Sequence, residues 1–276
     1  MRLATIRTQD GTRAVRVDGG MATALDAPDV GTLLADHNWR ERAAGAEGTR
    51  LDAAALDFAP LVTRPDKIVC VGLNYRNHIL EMGHELPEVP TLFAKYPSAL
   101  IGAHDDIRLP RVSTQVDWEA ELAVVIGAPA RYVSIDDARD AIAGYTVCND
   151  VSMRDWQNRT LQWLQGKTFE GCTPLGPELV TLDELADPDA LELTCEVDGE
   201  QVQHAVTSDL VFGPAALVSY CSNIFTMLPG DVISTGTPGG VGAAHTPPRF
   251  LADGSLVVTR IRGVGECRNR CRAEAS

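Results

Sequence analysis

The sequence of 276 residues lacks a long apolar run, an excess of basic residues and any Cys-x-x-Cys pair. No window approaches the roughly 18 uninterrupted apolar residues of a membrane span, and the N-terminus has no apolar stretch typical of a secretory signal. Lys plus Arg number 24 against 38 Asp plus Glu, which gives a formal net charge of −14. We therefore expect no binding to membranes, and none to nucleic acid, which needs clustered cations.

The seven cysteines are scattered and odd in number, so neither a disulfide framework nor a zinc site is indicated. They are Cys70, Cys148, Cys172, Cys195, Cys221, Cys267 and Cys271. We expect reduced, mostly buried thiols in a cytoplasmic protein. Hydrophobic residues make up 45% and charged residues 22%, which is ordinary for a folded globular protein and excludes a disordered acidic tail.

Short apolar runs separated by turns predict a small N-terminal β-rich domain over residues 1–63. Asp10-Gly11 and Asp18-Gly19 are turn signals between these runs, as in a meander. A helix is predicted to follow from Val30 to Glu41.

A Pro-containing connection at residues 64–66 marks the domain boundary, because a strongly apolar strand at 67–72 follows it. Residues 64–276 are predicted to form a larger domain without the regular strand–helix–strand alternation of a doubly wound sheet. The expected fold class is α+β and strand-dominated. The predicted elements are strands at 117–127, 144–150 and 232–235, a hairpin at 191–206, a short helix opened by Ser134, and a helix at 214–223.

Three carboxylates are candidates for a metal site. Glu119 and Glu121 lie two residues apart in a strand pattern, so both side chains are expected on one face, and Asp150 ends a later strand. If neighbouring strands bring the three together, they repel one another, and a divalent cation removes that conflict. Oxygen-only ligands suit Mg²⁺, Mn²⁺ or Ca²⁺ better than zinc. For an isolated Glu-x-Glu, a polar stripe on a solvent-facing strand would be the better interpretation.

Cationic and amide side chains follow Asp150 and strengthen the prediction of a ligand site. Arg154 and Gln157 come within the next turns, and Lys167 follows them. Arg can hold a carboxylate through two parallel hydrogen bonds, and Lys offsets negative charge that develops during a reaction. Together with a metal ion, these residues predict a receptor for a small carboxylate with an adjacent carbonyl or enolate.

His78 and Glu81 are the candidate base. They lie three residues apart, so in a helical turn they share a face, where the carboxylate can orient the imidazole and stabilise its cationic form. Such a pair can deprotonate water. An ordinary ion pair on a helix surface is the alternative. Other histidines are interpreted as surface or structural residues, namely His84, His104, His204 and His245.

The glycine-rich segment at 234–242 follows a predicted strand but has neither the order of a P-loop nor that of a dinucleotide fingerprint. No helix is signalled after it, because Pro247 and Pro248 follow. A phosphate cradle is therefore not expected. Close approach of glycine backbone and a Thr hydroxyl to a small ligand is the better prediction.

Short motifs in a fixed order resemble the fumarylacetoacetate hydrolase family over about residues 66–272. They lie at 71–75 with His78 and Glu81, and at 117–122, 149–152, 154–157, 166–169, 174–177, 229–231 and 235–238. The resemblance implies a mixed β-sandwich roll, usually a homodimer, with a Mg²⁺ or Mn²⁺ site. It also implies a small 2-oxo acid or acylpyruvate as substrate.

The resemblance further implies a role for each candidate residue. By position, Glu119, Glu121 and Asp150 match the metal ligands of the family. His78 and Glu81 match a dyad on the lid of its smaller members. The positions that contact substrate or take part in catalysis are matched by Arg154, Gln157, Lys167 and Thr237.

Two departures from the longer family members point to the smaller acylpyruvase branch. Val71 stands where those members carry a further metal-ligand Asp, and Gly239 lies near the position of their catalytic Glu. The resemblance thus implies hydrolytic cleavage of a carbon–carbon bond in an acylpyruvate, with fumarylpyruvate favoured, through the enolate of pyruvate.

Other reactions remain open within this resemblance. Oxaloacetate decarboxylation, and isomerisation or decarboxylation of 2-hydroxyhepta-2,4-diene-1,7-dioate, are the alternatives. A non-catalytic ligand-binding scaffold is a remote one. Residues 82–87 are expected to determine the choice of substrate.

Overall fold

The first strands form an antiparallel meander. The computed structural model describes residues 1–81, 83 and 85–275, although the side chain of Glu81 is not among the described atoms. β1 pairs with β2 and β2 with β3, joined by tight turns, so the predicted meander is confirmed. The elements of this region are β1 (Arg2–Thr8), β2 (Gly11–Asp18), β3 (Met21–Ala24), α1 (Val30–Leu34), α2 (Trp39–Ala44) and β4 (Arg50–Asp52).

The helix predicted over residues 30–41 is wrong as one continuous helix. Instead, α1 ends at Leu34 and α2 begins at Trp39. Between them, the Asp36 carboxylate accepts a hydrogen bond from the backbone N–H of Asn38 at 2.9 Å. Such a local side-chain bond offers the backbone an alternative to helical bonding, and the helix is interrupted there.

The rest of the chain adds short helices and many strands. The predicted hairpin, the helix capped by Ser134 and the helix that begins with a proline are all confirmed. The elements are β5 (Ile68–Gly72), α3 (Arg76–Glu81), β6 (Thr91–Lys95), β7 (Leu100–Ile101), β8 (Ile107–Leu109), β9 (Val116–Asp117), β10 (Ala120–Ile126), α4 (Ile135–Ala138), β11 (Ile142–Asn149), β12 (Ser152–Met153), α5 (Arg154–Gln157), α6 (Leu164–Lys167), β13 (Thr173–Val180), β14 (Glu192–Val197), β15 (Glu200–Val206), α7 (Pro214–Ile224), β16 (Val232–Ser234), β17 (Leu256–Ile261) and β18 (Gly265–Ala273).

The strands form a large mixed sheet that packs against a smaller one. The large sheet has the order β4-β3-β2-β1-β13-β11-β10-β16-β5-β6, with β7 beside β13, and the smaller has the order β15-β14-β17-β18-β8. Side chains from both sheets, among them Val124, Val147, Leu193 and Val257, belong to one apolar core. The expected strand-dominated α+β sandwich is therefore confirmed.

β1 joins the N-terminal meander to the large sheet. It pairs antiparallel with β13, with Leu3 opposite Leu179. The meander is therefore continuous with the sheet that carries the later strands. The division into domains at residues 63 and 64 stays a prediction.

All seven cysteines are buried free thiols, as the sequence predicts. Burial raises the pKa of Cys70 and of Cys267 well above the ordinary value, so both stay protonated at neutral pH. Among the described residues, no helix is long and apolar enough to cross a membrane.

Asp29 fastens α1 to the connection that precedes β5. Its buried carboxylate accepts hydrogen bonds from the backbone N–H of Thr32 at 2.7 Å, from the N–H of Thr63 at 3.0 Å and from the Thr63 hydroxyl. Burial by itself would raise the pKa of Asp29, but these hydrogen bonds outweigh it and lower the pKa below its ordinary value.

We expect Asp29→Ala to lower the free energy of unfolding by about 1–3 kcal/mol, because it leaves buried donors without a partner. Since the pKa of Asp29 is lower in the folded than in the unfolded state, this contribution is present above the unfolded pKa. It is lost as the pH falls through the folded pKa. Urea unfolding of the wild type and of Asp29→Ala at several pH values measures this contribution to the free energy of unfolding. Asp18→Ala, at a side chain that is 60% exposed, is the control, and an equal loss in both variants would contradict the anchoring role.

Candidate metal centre and active site

Three carboxylates meet where β10 begins and β11 ends. Ala120 pairs with Asn149, and the backbone N–H of Asp150 donates to the Glu119 carbonyl at 2.8 Å. This pairing brings one carboxylate oxygen each from Glu119, Glu121 and Asp150 to within 4.8 Å of one another. The predicted gathering of these side chains is confirmed.

The strand predicted at 117–127 is interrupted just before the triad. β9 ends at Asp117 and β10 begins at Ala120. In this break the two backbone N–H groups bond to side chains, because that of Trp118 donates to Asp117 Oδ1 at 2.8 Å and that of Glu119 to Asn149 Oδ1 at 2.9 Å. Glu119 therefore reaches the site from a break between two strands rather than from a continuous strand.

Burial and like charge act together on Glu121. Its side chain is 1% exposed, and its carboxylate accepts hydrogen bonds from the Ser234 hydroxyl at 2.5 Å and from the Gly236 N–H at 2.9 Å. Burial raises the pKa of Glu121 well above its ordinary value, and the negative charges of Asp150 and Glu119 raise it further. A divalent cation would relieve this repulsion, and an all-oxygen donor set suits Mg²⁺ or Mn²⁺. The triad could therefore hold such an ion.

Two buried lysines balance part of the triad's charge. Lys167 Nζ lies 2.6 Å from Glu119 Oε2 and 2.9 Å from Asp150 Oδ2, and Lys95 Nζ lies 2.6 Å from Asp150 Oδ1. Burial alone would raise the pKa of Asp150, but Lys167 and Lys95 outweigh it and lower that pKa to about 2. Asp150 is therefore ionised at neutral pH.

Lys95 is a site residue that the sequence analysis does not identify. A signal for it exists, because the chain has only three lysines, Lys67, Lys95 and Lys167. Lys95 ends the mostly apolar strand β6 and is 3% exposed. Since lysine is almost never fully buried without a partner, a rare lysine at the end of such a strand indicates a buried carboxylate nearby.

Arg154 is held by two carboxylates and keeps one donor for a ligand. Its Nε donates to Asp117 Oδ2 at 2.8 Å, while Nη1 lies 2.6 Å from Glu119 Oε1 and donates to Gln157 Oε1 at 2.9 Å. Nη2 is buried and has no hydrogen-bond partner within the described part of the chain. Because a buried donor without a partner is costly, this nitrogen is suited to an anionic ligand.

Asp117 connects Arg154 to the glycine-rich segment. Besides Arg154, its fully buried carboxylate accepts from the backbone N–H of Gly242 at 2.6 Å and of Ala243 at 3.0 Å. The guanidinium and the loop at one side of the site therefore share one anchor. This role of Asp117 cannot be predicted from local sequence, because Arg154 and Gly242 lie 37 and 125 positions away.

Seven of the candidate residues line one cavity of about 380 Å³, and Asp150 lies behind them without contributing to its lining. The Thr237 hydroxyl donates to the Ala120 carbonyl at 3.0 Å and accepts from the Gln203 amide at 2.9 Å, so it is already engaged within the fold. The predicted contact of Thr237 with substrate stays a prediction. The polar lining residues of the cavity are His78, Glu119, Glu121, Arg154, Gln157, Asn158, Lys167 and Thr237.

Gly236 allows the glycine-rich segment to approach β5. It has a φ of +100°, and a Cβ at this position would lie 3.0 Å from the Val71 carbonyl oxygen and 2.9 Å from Asn74 Cβ. Because an L side chain would be strained in this conformation, glycine is required. The same residue donates its N–H to Glu121, so the close approach helps to position a candidate metal ligand.

His78 lies on α3, is half-buried and lines the cavity. The side chain of Glu81, as well as Met82 and His84, lies outside the described residues. The His78–Glu81 dyad and the role of residues 82–87 in substrate choice therefore stay predictions.

The other described histidines of the sequence analysis are surface or structural residues, as predicted. His104 is exposed, and His245 packs edge-on against Trp118 with ring centroids 6.0 Å apart. His204 has a carboxylate partner that the sequence analysis does not foresee. It lies 3.0 Å from Glu192, in a pair that is exposed to solvent.

Residues 67–272 match the family model described as Fumarylacetoacetate (FAA) hydrolase C-terminal. The chain belongs to the fumarylacetoacetate hydrolase family. The resemblance of the ordered motifs is thereby confirmed, and the chain is a member of an enzyme family.

Three similar proteins illustrate the range of reactions in this family. Oxaloacetate tautomerase FAHD2A, a mitochondrial protein of Homo sapiens, is 46% identical over 231 residues, which are 83% of this chain and 74% of that protein. The structure of fumarylacetoacetate hydrolase from Exiguobacterium antarcticum has a TM-score of 0.89 at 29% identity, over 99% of this chain and 100% of that chain. The structure of 5-carboxymethyl-2-hydroxymuconate delta-isomerase from Mycobacterium smegmatis has a TM-score of 0.82 at 35% identity, over the whole of both chains.

Glu121→Gln and Asp150→Asn should differ in their effect on the metal-free protein. Gln at 121 keeps an acceptor for Ser234 and Gly236 and resembles the neutral carboxyl, so we expect a melting temperature within about 2 °C of wild type. Asp150→Asn removes the charge between two buried ammonium groups and should cost about 3–5 kcal/mol. Thermal melts in the presence of a chelator measure both effects.

Added Mn²⁺ should raise the melting temperature of the wild type, because a ligand that binds only the folded state stabilises it. Both variants should lose most of this increase. If Mn²⁺ raised the melting temperature of Glu121→Gln as much as that of the wild type, Glu121 would not be a ligand.

Proposed function

We propose that this protein is a divalent-metal-dependent enzyme of small 2-oxo acids that interconverts the enol and keto forms of oxaloacetate. The observation that carries the proposal is the buried Nη2 of Arg154, which has no partner among the described residues, in a cavity that Glu119 and Glu121 also line. A cation-binding triad beside an available guanidinium donor fits a ligand with a carboxylate next to an oxo group. The human relative, named an oxaloacetate tautomerase, supports this choice of substrate.

Mg²⁺ is the favoured ion and Mn²⁺ the alternative, with Glu119, Glu121 and Asp150 as the residues that would hold it. Bound there, the ion would polarise the 2-oxo group of the substrate and make the adjacent C–H bond more acidic. The burial of all three carboxylates supports this assignment, because charges removed from bulk water are screened less.

Arg154 and Lys167 supply the fixed positive charge. Nε and Nη1 of Arg154 are already paired, so the guanidinium is oriented before the substrate carboxylate reaches Nη2. Burial would lower the pKa of Lys167, but Asp150 and Glu119 outweigh it and raise that pKa above its ordinary value. Lys167 therefore stays charged and offsets the negative charge that develops on the substrate when a carbon-bound proton leaves.

The proposed reaction moves protons and changes the positions of double bonds only. In the keto-to-enol direction, one proton leaves carbon 3 and one is added to the oxygen on carbon 2. His78 lines the cavity, and a ring nitrogen of an imidazole can accept and return a proton near neutral pH. We assign that role to His78.

Hydrolysis of an acylpyruvate, with fumarylpyruvate favoured, is the second candidate, and the position of His78 in the cavity wall favours it. Here His78, with Glu81, would take a proton from water, and the water oxygen would bond to the distal acyl carbonyl carbon. The carbon–carbon bond then breaks, and its electron pair leaves with pyruvate as the enolate, which takes up a proton. The products are fumarate and pyruvate.

With Mg²⁺, the wild type should accelerate the loss of the ultraviolet absorbance of enol-oxaloacetate. Arg154→Lys should lower kcat/KM about 10–100-fold, because one ammonium group cannot pair with Asp117 and also replace Nη2. Arg159→Lys is a matched control, since Arg159 stacks on Trp156 with its Cζ 3.5 Å from the ring centroid. If kcat/KM of Arg154→Lys equalled that of the wild type, Arg154 would not bind the substrate carboxylate. The absence of any Mg²⁺-dependent acceleration by the wild type would overturn the proposed reaction.

His78→Ala should lower turnover about 10²–10⁴-fold, the usual contribution of a general base, while the dissociation constant for oxalate stays close to that of wild type. Stopped-flow absorbance gives the rate and calorimetry gives the affinity. His204→Ala, at an exposed histidine, is the control. Full activity in His78→Ala would place the base elsewhere.

Product analysis with the wild type separates the candidate reactions. Fumarate and pyruvate from fumarylpyruvate identify hydrolysis, and carbon dioxide from oxaloacetate identifies decarboxylation. Rearranged 2-hydroxyhepta-2,4-diene-1,7-dioate identifies the isomerase. A protein that binds oxalate and converts none of these substrates would be a ligand-binding scaffold.

A further inference from the structure

The cavity has a charged floor and an aromatic wall. The floor is formed by Glu119 and Glu121 with Arg154 and Lys167, and the wall by Phe93 and Trp163. The Phe93 ring centroid lies 4.9 Å from Lys167 Nζ, and the Phe93 and Trp163 rings meet edge to face at 5.5 Å with an interplanar angle of 68°. A ligand group that extends past Lys167 on this side therefore meets two rings.

The position of Trp163 depends on a glycine. A Cβ at Gly72, which ends β5, would lie 2.2 Å from Trp163 Cζ3, so the indole occupies the space that a side chain there would fill. The backbone of Trp163 is fixed separately, because its carbonyl accepts a hydrogen bond from the Gly166 N–H at 2.9 Å, in the helix that carries Lys167. The ring therefore packs on a strand end, while the backbone that carries it is tied to the helix of a floor residue.

A second, mainly apolar cavity of about 680 Å³ adjoins the first at Phe93. Phe93 lines both cavities, and the neighbours of Trp163 in the sequence, Gln162 and Leu164, line the second. Leu92 and Phe225 also contribute to its apolar lining. Phe93 therefore borders both the cavity that contains the charged floor and the second, more apolar cavity.

We propose that Phe93 and Trp163 form a size filter that limits the length of the group attached to the 2-oxo acid. The inference rests on the proposed function, because it takes the 2-oxo acid head to lie on the charged floor. A short diacid such as oxaloacetate fits in front of the wall. A longer chain must displace rings that are already packed, which is unfavourable in a close-packed interior.

The filter can be tested through binding, without turnover. In the presence of Mg²⁺, calorimetry gives dissociation constants for the straight-chain 2-oxo acids from pyruvate to 2-oxooctanoate. The wild type should bind the longer acids more weakly than pyruvate. In Trp163→Ala and Trp163→Leu, the ratio of the dissociation constant of 2-oxooctanoate to that of pyruvate should fall at least tenfold relative to wild type, because the chain gains access to apolar surface.

Leu161→Ala is the matched control, because Leu161 is fully exposed in the same connection between α5 and α6. In Leu161→Ala, the ratio of the dissociation constant of 2-oxooctanoate to that of pyruvate should equal that of wild type. Phe93→Leu alters the other ring of the wall and should also lower this ratio relative to wild type. Circular dichroism and thermal melts establish which variants are folded.

Three results would overturn the filter. One is a wild type that binds 2-oxooctanoate as tightly as pyruvate. Another is an unchanged ratio in every folded variant of Trp163 and Phe93. The third is a wild type that binds no 2-oxo acid with Mg²⁺ present, which would refute the proposed function itself and the filter with it, and so differs from the first two.

Discussion

The site depends on one constraint, which is that carboxylates can be buried together only where positive charge is buried with them. Three cations, Lys95, Arg154 and Lys167, pair with three of the four buried carboxylates, Asp117, Glu119 and Asp150. The described hydrogen bonds of the fourth, Glu121, come from a hydroxyl and an N–H, and its pKa is raised. When all four carboxylates are ionised they exceed the three cations by one charge, and a divalent cation would turn this into an excess of one positive charge. That reversal suits an anionic substrate on a chain of net charge −14.

The order of strands in the large sheet makes this network a property of the whole sheet. β10 lies between β11 and β16, so Ser234 and the triad residues, which lie on or directly beside β10 and β11, come together, whereas Lys95 reaches the site from β6 at the edge of the sheet. Asp117 adds the loop that contains Gly242. The charges can therefore pair only when strands distant in sequence have assembled, and formation of the site is coupled to completion of the sheet.

A feature of the fold or of the site can be predicted from sequence when the residues that determine it lie close together in the chain. Strand alternation and turn chemistry predict β10, β11 and the β14–β15 hairpin, and the triad follows from two of these strands. The roles of Lys95 and Asp117 do not follow, since Lys95 pairs with a residue 55 positions away and Asp117 with one 125 positions away. The helix predicted over 30–41 fails for a local reason, because the Asp36 carboxylate bonds to the backbone and interrupts it.

Substitutions in the charged floor and in the aromatic wall of the cavity differ in how much stability they cost. This difference bears on how members of one family can catalyse several reactions. Lys167 and Arg154 each contact two carboxylates, so replacing either one leaves buried charges without a partner, which is strongly destabilising. Trp163 packs against Gly72 and Phe93 through apolar contacts, so replacing it leaves no buried charge without a partner at these contacts. Stability therefore tolerates changes in the wall more readily than in the floor. The charge that stabilises an enolate can then stay constant while the wall sets which substrate reaches it.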